Sequence, residues 1–279
     1  MAENPDGTLT VEHIRRPQLH ASALEMKCAE AFRRRYIENE IIPPGVALIV
    51  GTGTHRSVER NLSHKVETGE LLPVEAVQDH ARDAVNHAWE GGVRLEPEEL
   101  ERGMKLVKGE AVNKAIRLSV LHHAEVAPGL IPTHVERPWS LEINGYPVDL
   151  VGRIDVQEGA ESIRDTKTSG KTPSADCAQK SVQLKAYSLA VMKIDGAAPV
   201  WSRMDYLIDT KTPKSATFEA QFTDDDYRAV LARVETLCLA MERGVFIPVE
   251  PTHWACDPKW CGYALTCRYF VSKPKQFAI

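Results

Sequence analysis

Two opposite charges inside one short alternating run constrain this chain more than any other feature. Residues 162–169, SIRDTKTS, alternate as a strand does when one of its faces is buried, and the alternation puts Asp165 and Lys167 on the same face. The run before it, GRIDV, ends an apolar stretch on Asp155, and QEGAE between them reads as a turn. Two strands joined there carry Asp155 toward Asp165 and Lys167. Buried charges are costly unless they are paired or hold a metal, so the three residues require a partner or a task. Carboxylates brought close repel one another unless a cation lies between them, and hard oxygen ligands suit Mg²⁺ or Mn²⁺. A lysine beside such an ion can orient or help deprotonate an attacking water and stabilise charge on a phosphate. For an isolated D-x-K the plainer reading is a surface hairpin closed by an Asp–Lys ion pair, and the neighbouring segments must decide.

Those segments predict helices first and strands later. SALEMKCAEAFRRRYIENE opens with Ser22 and Glu25 at capping-box spacing, with Leu24, Cys28, Ala31 and Phe32 along one side, which predicts a helix after a flexible tail of residues 1–20. VALIV followed by GTGTHRSVERNL reads as an apolar segment, a glycine turn and a helix, and helical texture continues to about residue 125. GTG is not a phosphate-binding loop, since neither the later glycine nor a GK[ST] ending follows. HVERPWSLEINGYPVDLVGRIDV then reads as two strands with Asn144-Gly145 as the hairpin turn. SADCAQKSVQLKAYSLAVMK returns to helical periodicity, WSRMDYLIDT reads as a strand, and DDDYRAVLARVETLCLAMERG is the clearest helix, acidic at its start and closed by Gly244. The order predicts an α/β or α+β fold: a helical portion over about 21–128, a mixed-sheet core flanked by helices over about 129–245, and a cysteine-bearing end over 246–279.

Three of these segments, with GTGTH at 51–55, resemble a known family. GRID at 152–155, IRDTKTS at 163–169 and QLKAY at 183–187 are similar to motifs II and III and the Q-x-x-x-Y signature of the RecB-like branch of the PD-(D/E)XK nucleases. The segment GTGTH matches the place where that branch carries a metal-binding histidine, and the likeness covers about residues 20–270. The resemblance implies a restriction-endonuclease-like core in which His55, Asp155, Asp165 and the Thr166 carbonyl coordinate Mg²⁺ or Mn²⁺. It further implies that Lys167 assists the water and that Gln183 and Tyr187 contact DNA or brace the site. Read without it, His55 is an ordinary histidine and Gln183/Tyr187 an ordinary helix pair.

The six cysteines bear on the same resemblance. Cys256, Cys261 and Cys267 are spaced C-x4-C-x5-C, with Cys28 alone near the other end. One upstream cysteine and a C-terminal trio resemble the iron–sulfur members of this branch, including CRISPR-associated exonucleases, which implies a 4Fe–4S cluster stapling the termini. C-x2-C is common for the first pair in relatives, and the wider spacing leaves Zn²⁺ as the alternative. Cys238, on the apolar stripe of its helix, and Cys177 read as free thiols.

The function implied is a metal-dependent DNA exonuclease acting on single-stranded ends in recombination, repair, phage replication or CRISPR adaptation, with a recombination or CRISPR protein as a possible partner. A nicking or structure-specific endonuclease on the same site is the first alternative, and a catalytically silent nucleic-acid-binding subunit is the second. The formal charge of −5 gives no general attraction to nucleic acid, so any binding must come from a local basic groove, to which Arg33, Arg34, Arg35, Lys171, Lys180 and Lys185 could contribute. MAENPDGTLTVEHIRRPQ lacks a signal pattern and no apolar run approaches the roughly 20 residues of a membrane span, which predicts a cytoplasmic protein without membrane contact.

Overall fold

The computed structural model describes residues 17–271. Residues 1–16 of the expected tail and 272–279 of the cysteine-bearing end lie outside the described residues. Strand β1, Gln18–His20, leads into a 3-10 turn and two short helical pieces; helices α1, Val46–Thr68, α2, Val74–Glu90, and α3, Met104–Glu125, follow. The strands come next: β2, His134–Glu142, β3, Asp149–Glu158, and β4, Ser162–Ser169. Helix α4, Val182–Asp195, crosses over to β5, Trp201–Ile208, which turns into β6, Lys214–Ala220, before helix α5, Asp224–Arg243.

The described strands form one mixed sheet in the order β1-β3-β4-β5-β6, with β2 also on β3. Its two sides belong to different apolar cores. Ile154, Ile163, Met204, Leu184, Leu189, Val230 and Val234 share one core, which seats α4 and α5. Ile49, Val85, Ala115, Leu118 and Leu207 share another, which seats α1, α2 and α3. Strand β5 serves both, through Met204 and Leu207, as alternation requires of a strand covered on each face.

The pairing of β3 creates the one interruption that matters for chemistry. Along one edge, β2 pairs it from Asp149 to Gln157. Along the other, β1 pairs Asp149–Val151 and β4 pairs only Val156–Glu158. Residues 152–155 are therefore left open on that edge, and the opening ends on Asp155. Gly152 has a reason to be glycine: it sits opposite Trp139 on β2, and a Cβ there would come within 2.5 Å of the indole.

Three expectations need correction, and one strand lies outside them. Residues 18–20 are not tail, because β1 adds to β3 in parallel. SALEMKCAEAF is not one helix: a 3-10 turn, Ala21–Glu25, is separated by an extended Cys28 from a short helix, Ala29–Phe32. Glu25 instead accepts hydrogen bonds from Ser181 Oγ (2.9 Å) and the Gln183 N–H (3.0 Å), so it serves the start of α4 rather than of its own segment. GTGTH is not a turn, since α1 runs straight through it. Gly53 lets α1 approach α2, for a Cβ there would lie 2.4 Å from Val85. Strand β6 carries no strand signature in the sequence, because KSATFEA has a polar, half-exposed pattern and pairs only at the sheet edge.

Candidate active site

Every residue of the candidate site hangs on the open edge of β3 or on an element facing it. Asp155 ends the unpaired stretch, and its Oδ2 accepts a hydrogen bond from the Thr166 N–H at 2.8 Å. His55 comes from the middle of α1, with Nδ1 3.4 Å from Asp155 Oδ2 and a hydrogen bond to the Thr166 backbone. Asp165 is buried and faces Lys167, whose Nζ donates to Oδ1 at 3.0 Å and lies 2.9 Å from Oδ2. Oδ2 accepts no well-directed hydrogen bond, so the second contact is an ion pair only.

Lys167 is held from α4 as well. Its Nζ donates to Gln183 Oε1 at 3.2 Å, and Gln183 Nε2 donates to Tyr187 Oη at 2.5 Å. Gln183 and Tyr187 lie four apart on a helix and so reach the same side, which makes the Asp165–Lys167–Gln183–Tyr187 chain continuous. Tyr187 in turn meets Trp139 edge to face, with ring centroids 5.9 Å apart.

One acid of the site was not anticipated. Glu136 lies on β2 between Val135 and Arg137, which pair with Val156 and Ile154, so it stands opposite Asp155. His55, Glu136 and Asp155 each offer one ligand atom within 4.8 Å of the others, a grouping no other His, Cys, Asp or Glu residues make among the described residues. Glu136 also adopts φ 52°, the left-handed region that non-glycine residues seldom occupy, at a cost on the order of 1–3 kcal/mol. A charged residue inside HVERPW was the available signal, and only strand register reveals that it meets Asp155.

The electrostatics of this cluster are those of a site short of positive charge. Burial, and after it the charge of Asp165, push the Asp155 carboxyl far above the ordinary carboxylate range. Burial, then Asp155 and Glu59, raise Glu136 to about 7. Burial keeps His55 below its usual value and hence a neutral imidazole at pH 7, which is the ligating form. Burial alone would lower Lys167, but the charges of Asp165 and Asp155 outweigh it and push the ammonium up to about 12. One imidazole and two carboxylates in this setting fit a hard divalent cation such as Mg²⁺ or Mn²⁺, whose charge would reverse the penalty on both acids. Of the ligands expected, His55 and Asp155 join the triad, the Thr166 backbone adjoins His55, and Asp165 turns to Lys167.

Two clefts open onto the triad. One of about 750 Å³ runs past His20, Arg153, Asp155 and Tyr187, and another of about 540 Å³ runs along Leu48, Gly51, Thr52 and Lys167; His55 and Glu136 line both. The cysteines meet elsewhere: Cys28, Cys256, Cys261 and Cys267 line one small pocket, whereas Cys238 is buried in the core of α4 and α5 and Cys177 packs against it. Burial, with the neighbouring thiols adding to it, raises the Cys256 thiol.

A mixed sheet with helices on both faces, opened at one strand beside acids, a histidine and a lysine, supplies the kind of donor set that metal-assisted hydrolysis uses. The sequence profile of the PD-(D/E)XK nuclease superfamily matches residues 21–268, and the chain belongs to that superfamily, whose members hydrolyse nucleic acid with divalent metals. The fold is similar to the crystal structure of a protein from Eubacterium rectale described as a "Putative exonuclease", with a TM-score of 0.52, 12% identity, and coverage of 98% of this chain and 96% of that one. The crystal structure of SSO0001 is more distant, with a TM-score of 0.42, 10% identity, and coverage of 91% and 87%. No curated protein matches the sequence. No helix among the described residues is long and apolar enough to cross a membrane.

Proposed function

We propose that the protein is a Mg²⁺- or Mn²⁺-dependent deoxyribonuclease, an exonuclease working on single-stranded ends. The observation that carries this reading is the meeting of His55, Glu136 and Asp155 within 4.8 Å, next to the Asp165–Lys167 pair. His55, Glu136 and Asp155 would hold the ion, with Asp165 and the Thr166 carbonyl as the further ligands that the motif resemblance implies. The bound ion supplies Lewis-acid stabilisation of charge on the scissile phosphate. Lys167, an ammonium at neutral pH, donates to the attacking water or to a phosphate oxygen, and Gln183 and Tyr187 keep it aimed. Preference for single-stranded ends rests on the resemblance to the RecB-like branch.

The reading extends to the cysteines, as holders of a 4Fe–4S cluster. Cys28, Cys256, Cys261 and Cys267 line one pocket, which supports a four-thiolate ligand set there, and the resemblance to the iron–sulfur members of the branch supports the cluster over zinc.

The test compares an end-labelled linear single strand with the same sequence circularised, in Mn²⁺, in Mg²⁺ and in EDTA. Degradation of the linear strand alone, dependent on metal and reduced about a thousandfold or more by Asp155→Ala, is the expected result. Equal cutting of the circle would make the protein an endonuclease. Tight binding with no cutting in any metal would leave a binding subunit.

A further inference from the structure

Two tryptophans stand exposed on the cysteine-bearing segment. Trp254 is 55% and Trp260 64% exposed, although tryptophan is highly buried on average. Their rings meet edge to face at 6.1 Å, His253 lies against Trp254 at 5.4 Å, and the Lys259 ammonium lies 5.8 Å from the Trp260 ring centre. The segment that presents them is clamped from several sides. Arg94 donates to the Pro258 carbonyl at 3.1 Å, Arg34 donates to the Tyr263 carbonyl at 3.2 Å, and Tyr263 Oη donates to the Glu40 carbonyl at 2.7 Å. A Cβ on Gly262 would come within 2.6 Å of Ile42, so the backbone is seated directly on the chain before α1. The aromatic pair is thus fixed in place rather than carried on a loose loop.

The groove beside this pair, about 350 Å³, is lined by Lys27, by Arg35 and by Arg94, which also pairs with Glu96 at 3.4 Å, and by no acidic residue among the described residues, on a chain whose formal charge is −5. Leu48 lines both this groove and the cleft that holds His55, Glu136 and Lys167, so the two adjoin at that residue. Leu48 is itself 64% exposed and lies two turns of α1, or roughly 10 Å, from His55. Cations for phosphates, flat aromatic faces for bases and an adjoining cleft that holds the acids are the parts from which single-strand channels are made.

We propose that Trp254 and Trp260 form a base-stacking platform that holds single-stranded DNA a few nucleotides from the scissile phosphate, with Lys27, Arg35 and Lys259 along its backbone. This rests on the nuclease reading for its catalytic meaning, but binding itself is measurable without catalysis. Kd for a fluorescein-labelled oligothymidylate is read by anisotropy in EDTA for the wild type, the Trp254→Ala/Trp260→Ala double variant and the corresponding double Phe variant, with circular dichroism to establish that each is folded. The alanine pair is expected to weaken binding roughly tenfold or more, and the phenylalanine pair to restore most of it. Wild-type Trp fluorescence is expected to fall on binding, and the Kd to rise with salt. Alanine variants that are folded and bind as the wild type does, or a wild type that binds no single strand, would overturn the platform. A wild type that binds through the tryptophans yet cuts nothing in Mn²⁺ would leave the platform standing and defeat the nuclease reading instead.

Discussion

The acid site and the cysteine pocket are built in opposite ways. Asp155, Glu136, Asp165 and Lys167 lie on β2, β3 and β4, whose ladders fix each backbone before any ligand arrives. The cysteines lie on an extended residue before a short helix and on 3-10 turns and bends, where long-range contacts are a few clamps such as those of Arg34 and Arg94. A site built on strands can store penalties, and this one does: a left-handed Glu136, half-buried acids raised out of their usual range, and a neutral His55. A pocket built on turns has little to store, and the cluster proposed for it would contribute to the pocket's own stability.

That contrast can be broken most sharply at Cys28. A cluster joining it to Cys256 closes a loop from residue 28 to residue 256, a constraint on the unfolded chain that by loop entropy is on the order of 5 kcal/mol. Cys28→Ser is therefore expected to bleach the absorbance near ~400 nm of a four-thiolate cluster and to lower the melting temperature steeply. Cys177→Ser should do neither. Iron analysis with anaerobic melting curves decides, and an unchanged Cys28→Ser protein would show that the termini are not stapled.

A smaller effect tests the dry backing of the acid site. His122 on α3 is buried with neither ring nitrogen hydrogen-bonded among the described residues, and burial, with smaller contributions from His55, where protonated, and Arg164, lowers it to about 3. The unfolded chain takes up a proton near pH ~6.5 while the folded one does not, so this stability is complete above that pH and is lost progressively as pH falls toward about 3. Between pH 7 and 5 the loss from this group amounts to about 2 kcal/mol. Urea melts in EDTA at the two pH values should show it, and His122→Leu should flatten that slope. A slope unchanged by the substitution would mean that water reaches the ring.

The smallest effect concerns the strain itself. Glycine adopts φ 52° freely, and removing the Glu136 carboxylate also relieves its repulsion with Asp155. Glu136→Gly is expected to stabilise the metal-free protein by about 1 kcal/mol while weakening Mn²⁺ affinity. Metal-free melts paired with Mn²⁺ titration calorimetry measure both; stabilisation with unchanged affinity would take Glu136 out of the ligand set.

Much of this was legible in the chain. The alternation of SIRDTKTS brings Asp165 and Lys167 together, and the four-residue spacing of Gln183 and Tyr187 puts them on one helix side, because strand and helix periods are local properties of the backbone. The acids of DDDY and Gly244 bound α5 for the same kind of reason, with Thr223 and Asp226 forming the cap. What no local rule contains is which distant segments meet. Glu136 joins His55 and Asp155 only through the β2–β3 register, Glu25 serves the start of α4 instead of its own segment, and Gly53 turns out to be a helix contact. The exposed Trp254 and Trp260 line a groove with Leu48 only because the segment that carries them folds back against residues 40–48. Local propensity determined most of the long elements and the pairs within them. Packing across the sheet and between chain ends, where geometry depends on the whole burial pattern, decided the site.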